Sequence, residues 1–180
     1  KALSSKKVYH LTTFFMSEIC TRSRSWFGKT SKKYSGTIGS LIEEGKSIGA
    51  YIEGIGWSHK GLVGLLLKYN TKAYLQEYKN NTNKRSFEKD FSDNIKEGRK
   101  IITSVNLGFS NNTSSHLIVI HGYETDEHKN IKAWLISDSS SKKGETEWIS
   151  SGYFKRYFRK HQKNNANTYI CHRILRSYTF

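Results

Sequence analysis

Three places in the chain carry side chains that could do chemistry together. The first is Ser115-His116-Leu117-Ile118-Val119-Ile120-His121-Gly122-Tyr123. His116 stands at the head of an apolar run. A buried strand there would hold the ring rigidly and aim it at the strand end, a good place for a general base. An ordinary polar residue at the start of a strand has the same appearance. The second is Trp134-Leu135-Ile136-Ser137-Asp138-Ser139, where an aspartate ends the next apolar stretch. If the two stretches are neighbouring antiparallel strands joined through residues 122–130, the start of one lies beside the end of the other. His116 and Asp138 would then be adjacent, and the carboxylate would fix the imidazole tautomer and stabilise its charged form. The alternative for Asp138 is a turn cap. The third place is the N-terminal segment. A Cys–His–Asp hydrolase puts its thiol at the start of a buried helix, where the helix dipole lowers the thiol pKa. Val8, Leu11, Phe14, Phe15 and Ile19 recur at helical spacing, and Ser4 or Ser5 can cap a helix there. The residue before it is Ala2. Cys20 lies beyond the start of this helix and reads as structural.

The elements that would position these groups follow from periodicity. Residues 21–37 are polar, with Gly28 and Gly36, and read as a loop. A short helix or turn over 37–44 is expected to end at Gly45. Gly54-Ile55-Gly56-Trp57 reads as a permissive loop. Ser58 then caps a helix over 60–68 whose Leu62, Val63, Leu65, Leu66 and Leu67 are too apolar for a surface helix. Phe87, Phe91 and Ile95 recur every four residues, which predicts a helix over 87–97 stopped by Gly98. Strands follow over 101–107, 117–120, 131–136 and 146–149, with a return to the sheet over 168–177. Phe154, Tyr157 and Phe158 predict a short amphipathic helix between the last strands. Helices first and strands second give an α+β architecture, with helices on one side of an antiparallel sheet.

The bulk properties fit one folded domain over 1–180. The hydrophobic content is 36% and the aromatic content 13%, enough for a modest core and too much for a disordered tail. The apolar runs are far shorter than the roughly 18–20 residues that span a bilayer. Lys1-Ala2-Leu3-Ser4 lacks the character of a secretory signal. No compartment follows from the sequence. Thirty basic residues against 15 acidic ones give a net charge of +15, which attracts polyanions and says nothing about chemistry. A solvated lysine-rich surface explains the excess as well as a polyanionic partner does. The two cysteines, Cys20 and Cys171, form no metal motif, and neither a metal nor a cofactor is expected.

Taken in order, these segments resemble the C39-like, bacteriocin-processing branch of the papain-like cysteine peptidases. The motifs are Gly56-Trp57-Ser58-His59-Lys60-Gly61-Leu62 and Lys96-Glu97-Gly98-Arg99-Lys100-Ile101-Ile102, then Ser115-His116 before the apolar strand and Gly122-Tyr123 after it. Leu135-Ile136-Ser137-Asp138 follows, and Glu147-Trp148-Ile149-Ser150 with Tyr153-Phe154 resembles the closing strand and helix. The resemblance implies a papain-like fold, N-terminal helices packed on a C-terminal antiparallel sheet. It implies a thiol hydrolase acting on a peptide or protein substrate, with His116 as catalytic histidine and Asp138 as its orienting acid. The cleft between the two halves would bring Trp57 and His59 to the substrate. Ala2 falls where the nucleophilic cysteine is expected. The family's upstream glutamine has no counterpart here, and Ser139 replaces its proline. An inactivated peptidase, a nucleophile upstream of Lys1, a binding module that keeps only the fold, and a basic toxin or effector domain all remain open.

Overall fold

The computed structural model describes residues 37–69, 73–79, 87–111, 114–138, 146–158, 160–163 and 166–174. They fall into two compact units, one running to Tyr74 and the other spanning Leu75–Ile174. The helix expected over 8–19, together with Ala2 and Cys20, lies outside the described residues.

In the first unit, helix α1 (Ile38–Ser47) is capped by Thr37, whose Oγ1 accepts from the Ser40 N–H at 3.2 Å. The helix does not end at Gly45 as expected. It passes through that residue and turns back at Gly49, whose φ is +67°. Gly45 serves packing instead: a Cβ there would stand 2.5 Å from the Trp57 ring. Strands β1 (Tyr51–Ile52) and β2 (Gly56–Trp57) form a small hairpin, so the expected loop is partly strand. Helix α2 (His59–Lys68) starts at its predicted cap, with Ser58 Oγ accepting from the Gly61 N–H at 3.1 Å. Leu62, Leu65 and Leu66 are buried, whereas Leu67 is half exposed. Glu44 joins the ends of the two helices, accepting from the Tyr69 hydroxyl at 2.5 Å and from Lys68 Nζ at 2.6 Å.

The second unit is built on a sheet of β3 (Ala73–Lys79), β4 (Lys100–Asn106), β5 (Ser115–Thr125), β6 (Ile131–Asp138), β7 (Thr146–Ser150), β8 (Lys160–Lys163) and β9 (Ala166–Ile174). The strand order is β3-β9-β4-β5-β6-β7, with β8 paired to β9. The pairings through β4, β5, β6 and β7 are antiparallel. Two helices supply the core of one sheet face. Helix α3 (Phe87–Lys96) contributes Phe91, and α4 (Ser151–Tyr157) contributes Phe154. These pack with Phe158, Ile101, Val105, Ile118, Ile120, Ile136 and Trp134. Trp134 lies at the centre, edge-on to Phe91 at 5.9 Å. Gly98 stops α3 as predicted, with φ of +74°. The α+β architecture and the antiparallel sheet therefore stand as expected. Strands β3 and β8 were not foreseen. In β3 the apolar signal is weak, and Leu75 itself stays 36% exposed.

Candidate active site

Strand β5 runs between β4 and β6, so its first half is held on both sides. Val105 of β4 stands opposite His116, and Ile118 of β5 stands opposite Asp138, the last residue of β6. Directly paired residues share a sheet face, and so do residues two apart on one strand. His116, Ile118 and Asp138 therefore belong to one face, with the histidine diagonal to the carboxylate. A diagonal pair is within reach of a long side chain. His116 Nε2 lies 2.7 Å from Asp138 Oδ1, and both side chains are buried, 2% and 4% exposed. With Asp138 ionised the carboxylate only accepts, and Nε2 then carries the proton between the two. That fixes the tautomer and leaves Nδ1 as the basic ring atom. In a buried setting such a bond is stronger than it is in water.

A second polar group lies on the opposite face, close behind. The pairing of β5 with β6 shifts between Ile120 and Gly122, leaving His121 in the bulge. Its Nε2 lies 2.6 Å from Ser137 Oγ, which in turn is 3.0 Å from Thr146 Oγ1. The three residues link β5, β6 and β7 beside Asp138. Sequence reasoning missed this linkage, since it depends on a bulge that no residue pattern announces.

The turn from β4 into His116 was also missed. Leu107–Phe109 forms a single 3-10 turn with Gly108 at φ +65° and Phe109 at φ +46°. A bulky residue in that left-handed region is strained. Two hydrogen bonds hold it: the Leu107 N–H donates to the Ser114 carbonyl at 3.0 Å, and the Tyr153 hydroxyl donates to the Phe109 carbonyl at 3.1 Å. The Asn106-Leu107-Gly108 sequence was the one available signal for a tight turn.

The other predicted site residues belong to the first unit. Trp57 is buried beneath α1, edge-on to Tyr51 at 5.3 Å, and is a core residue of that unit. Its Nε1 has no hydrogen-bond partner among the described residues. His59 opens α2 and is half-buried. Among the described residues no three His, Cys, Asp or Glu side chains converge as metal ligands, and no helix is long and apolar enough to cross a membrane.

The model of the peptidase C39-like family matches residues 18–167. The chain belongs to that family. This C39-like chain is also similar to a solved structure from Bacillus anthracis assigned to the C39-like peptidases, with 17% identity and a TM-score of 0.45. That match covers 68% of this chain and 61% of the other, so the C39-like chain spans less than two thirds of its neighbour. No curated protein matches the sequence. The matched range contains His116, Asp138, Trp57 and His59. It also contains Cys20, and excludes Ala2 and Cys171.

Proposed function

We propose that this protein is a thiol peptidase in which His116 is the general base and Asp138 its orienting acid. The observation that carries the reading is the buried 2.7 Å contact between the two, in a chain of a peptidase family. The mechanism is acyl transfer. A thiolate attacks the peptide carbonyl and forms a thioester as the C–N bond breaks. His116 Nδ1 accepts the thiol proton and returns it to the leaving amine. Water then attacks the thioester, giving its proton to the same nitrogen and releasing the acid and the thiol. Asp138 holds Nε2–H throughout and stabilises the imidazolium that forms.

Ala2, Cys20 and a position upstream of Lys1 compete for the nucleophile's place. Ala2 requires that a cysteine has been lost there. We favour Cys20, read from its place past the helix start as structural, because it is the one cysteine inside the family's matched residues. The substrate class is a peptide or protein.

The test is labelling by a thiol-directed, peptide-like active-site probe. The intact chain should label, Cys20→Ala and His116→Ala should not, and Ala2→Cys should add nothing to the intact chain. Labelling gained only with Ala2→Cys, and lost again with His116→Ala, would move the nucleophile to position 2. No labelling of any folded form would leave a nucleophile upstream of Lys1 or a domain that uses this fold for binding.

A further inference from the structure

Strand β5 bonds β6 through two histidines, one on each face of the sheet. His116 stands two residues before Ile118, whose partner is Asp138, and His121 stands two residues after Val119, whose partner is Ser137. Each histidine reaches diagonally to β6: His116 Nε2 to Asp138 Oδ1 at 2.7 Å, and His121 Nε2 to Ser137 Oγ at 2.6 Å. Between them lie three strand pairs, Ile118–Asp138, Val119–Ser137 and Ile120–Ile136, after which the register shifts. A bulge disrupts the ladder locally. The three pairs that carry Asp138 therefore have no regular continuation toward Gly122, and the His121–Ser137 bond spans the interruption.

Ser137 and Asp138 are consecutive, so their side chains leave opposite faces of one strand. Ser137 is paired on both sides, with Val119 of β5 and Thr146 of β7, and its hydroxyl lies 3.0 Å from Thr146 Oγ1. It is 6% exposed, and a buried hydroxyl needs such partners. A serine hydroxyl both donates and accepts, so either tautomer of His121 satisfies the linkage. Holding this side chain from both neighbouring strands fixes the twist of the backbone at Ser137. That twist sets where the next residue places its carboxylate. The His116–Asp138 contact depends on it closely, because a diagonal pair must reach further than a directly opposed one. Bulges beside functional sites re-aim side chains. The side chain re-aimed here is His121, and its target is the neighbour of Asp138.

We propose that His121 is a positioning residue, which acts through Ser137 to hold the Asp138 carboxylate against His116. It touches neither the substrate nor the reacting atoms. Its effect on catalysis rests on the peptidase reading. Its effect on the His116–Asp138 contact does not.

The experiment follows the His116 Nε2 proton by NMR in the intact chain labelled with 15N-histidine, identified as the signal that His116→Gln removes. Buried against a carboxylate, this proton should exchange slowly with water. His121→Ala should speed its exchange about tenfold relative to the backbone amides of α3. A contact that only stabilises the fold would speed both together. His121→Gln, whose side-chain amide can also bond Ser137, should restore the slow rate. Ser137→Ala should match His121→Ala, and the double variant should be no worse than either, as expected of residues acting in one linkage. Should His121→Ala fail to fold, Ser137→Ala removes a single oxygen and carries the same expectation. On a quenched pool of random decapeptides, His121→Ala should lower kcat about tenfold with KM unchanged. The proposal would be overturned by the absence of a protected His116 signal in the intact chain, by exchange that does not change relative to α3, or by additive losses in the double variant. An unchanged kcat on a pool that the intact chain cuts would overturn it equally. A changed exchange without cleavage by any form would remove the peptidase reading and leave the positioning contact standing. Cleavage with neither change would remove the positioning role alone.

Discussion

His116 and Asp138 are hydrogen-bonded at 2.7 Å although neither faces the other in the strand register. Ile118 stands opposite Asp138 and Val105 opposite His116, so the contact is diagonal, closing over the end of β6. Removing the carboxylate leaves a buried imidazole N–H without its acceptor, which costs about 1–3 kcal/mol. Asp138→Ala should therefore lower stability by about that amount in urea titrations. Loss of the oriented base should also lower kcat/KM against a cleaved peptide by about 10²-fold. An unchanged rate at lowered stability would make the pair structural only.

The core of the second unit depends on aromatic volume. Phe154 is fully buried between Trp134 at 6.0 Å and Phe158 at 5.2 Å. Phe154→Ala opens a cavity that the sheet cannot collapse to fill. The expected loss is about 3–5 kcal/mol, a large part of the stability of an ordinary domain. The midpoint of urea unfolding measures it.

Two glycines of α2 should respond in opposite ways to the same change. Alanine in a helix interior ordinarily gains up to about 1 kcal/mol over glycine. Gly64 has open space where a Cβ would stand, so Gly64→Ala should stabilise. At Gly61 a Cβ would collide with the Ala50 backbone, which cannot move aside as a flexible side chain could. Gly61→Ala should destabilise, and thermal melts of the two variants side by side test the sign.

Glu44 makes the stability of the first unit depend on pH. Burial pushes its carboxyl pKa up, but the hydrogen bonds from Lys68 and Tyr69 and the lysine's charge outweigh it and hold the group below the usual range. A folded-state value below the unfolded one, about 4.3 for glutamate, means the contribution is fully present above that pH. It is lost as the pH falls through the folded value. Denaturation between pH 7 and pH 3 should show a smaller loss in Glu44→Gln than in the unaltered chain.

The helix caps, the strand cores and the two ends of the candidate dyad could be read from the sequence because each is a local signal. Ser58 offers a side-chain oxygen where a backbone N–H needs it, whereas Thr37, read as the first residue of its element, proves to be the cap of α1. The apolar stretch of β5 needs no distant partner to announce that it is buried. Joining it to β6 through a short connection put His116 near Asp138 by antiparallel geometry alone. Other features belong only to the folded chain. The passage of α1 through Gly45 depends on the Trp57 ring lying against it, twelve residues away in sequence. The bulge that turns His121 toward Ser137, and the hydroxyl that pins Phe109, arise from register and from contacts across 16 and 44 positions. Local propensity fixes which residues can form an element. The close approach of side chains from separate elements decides how each element ends, bends and presents its polar groups.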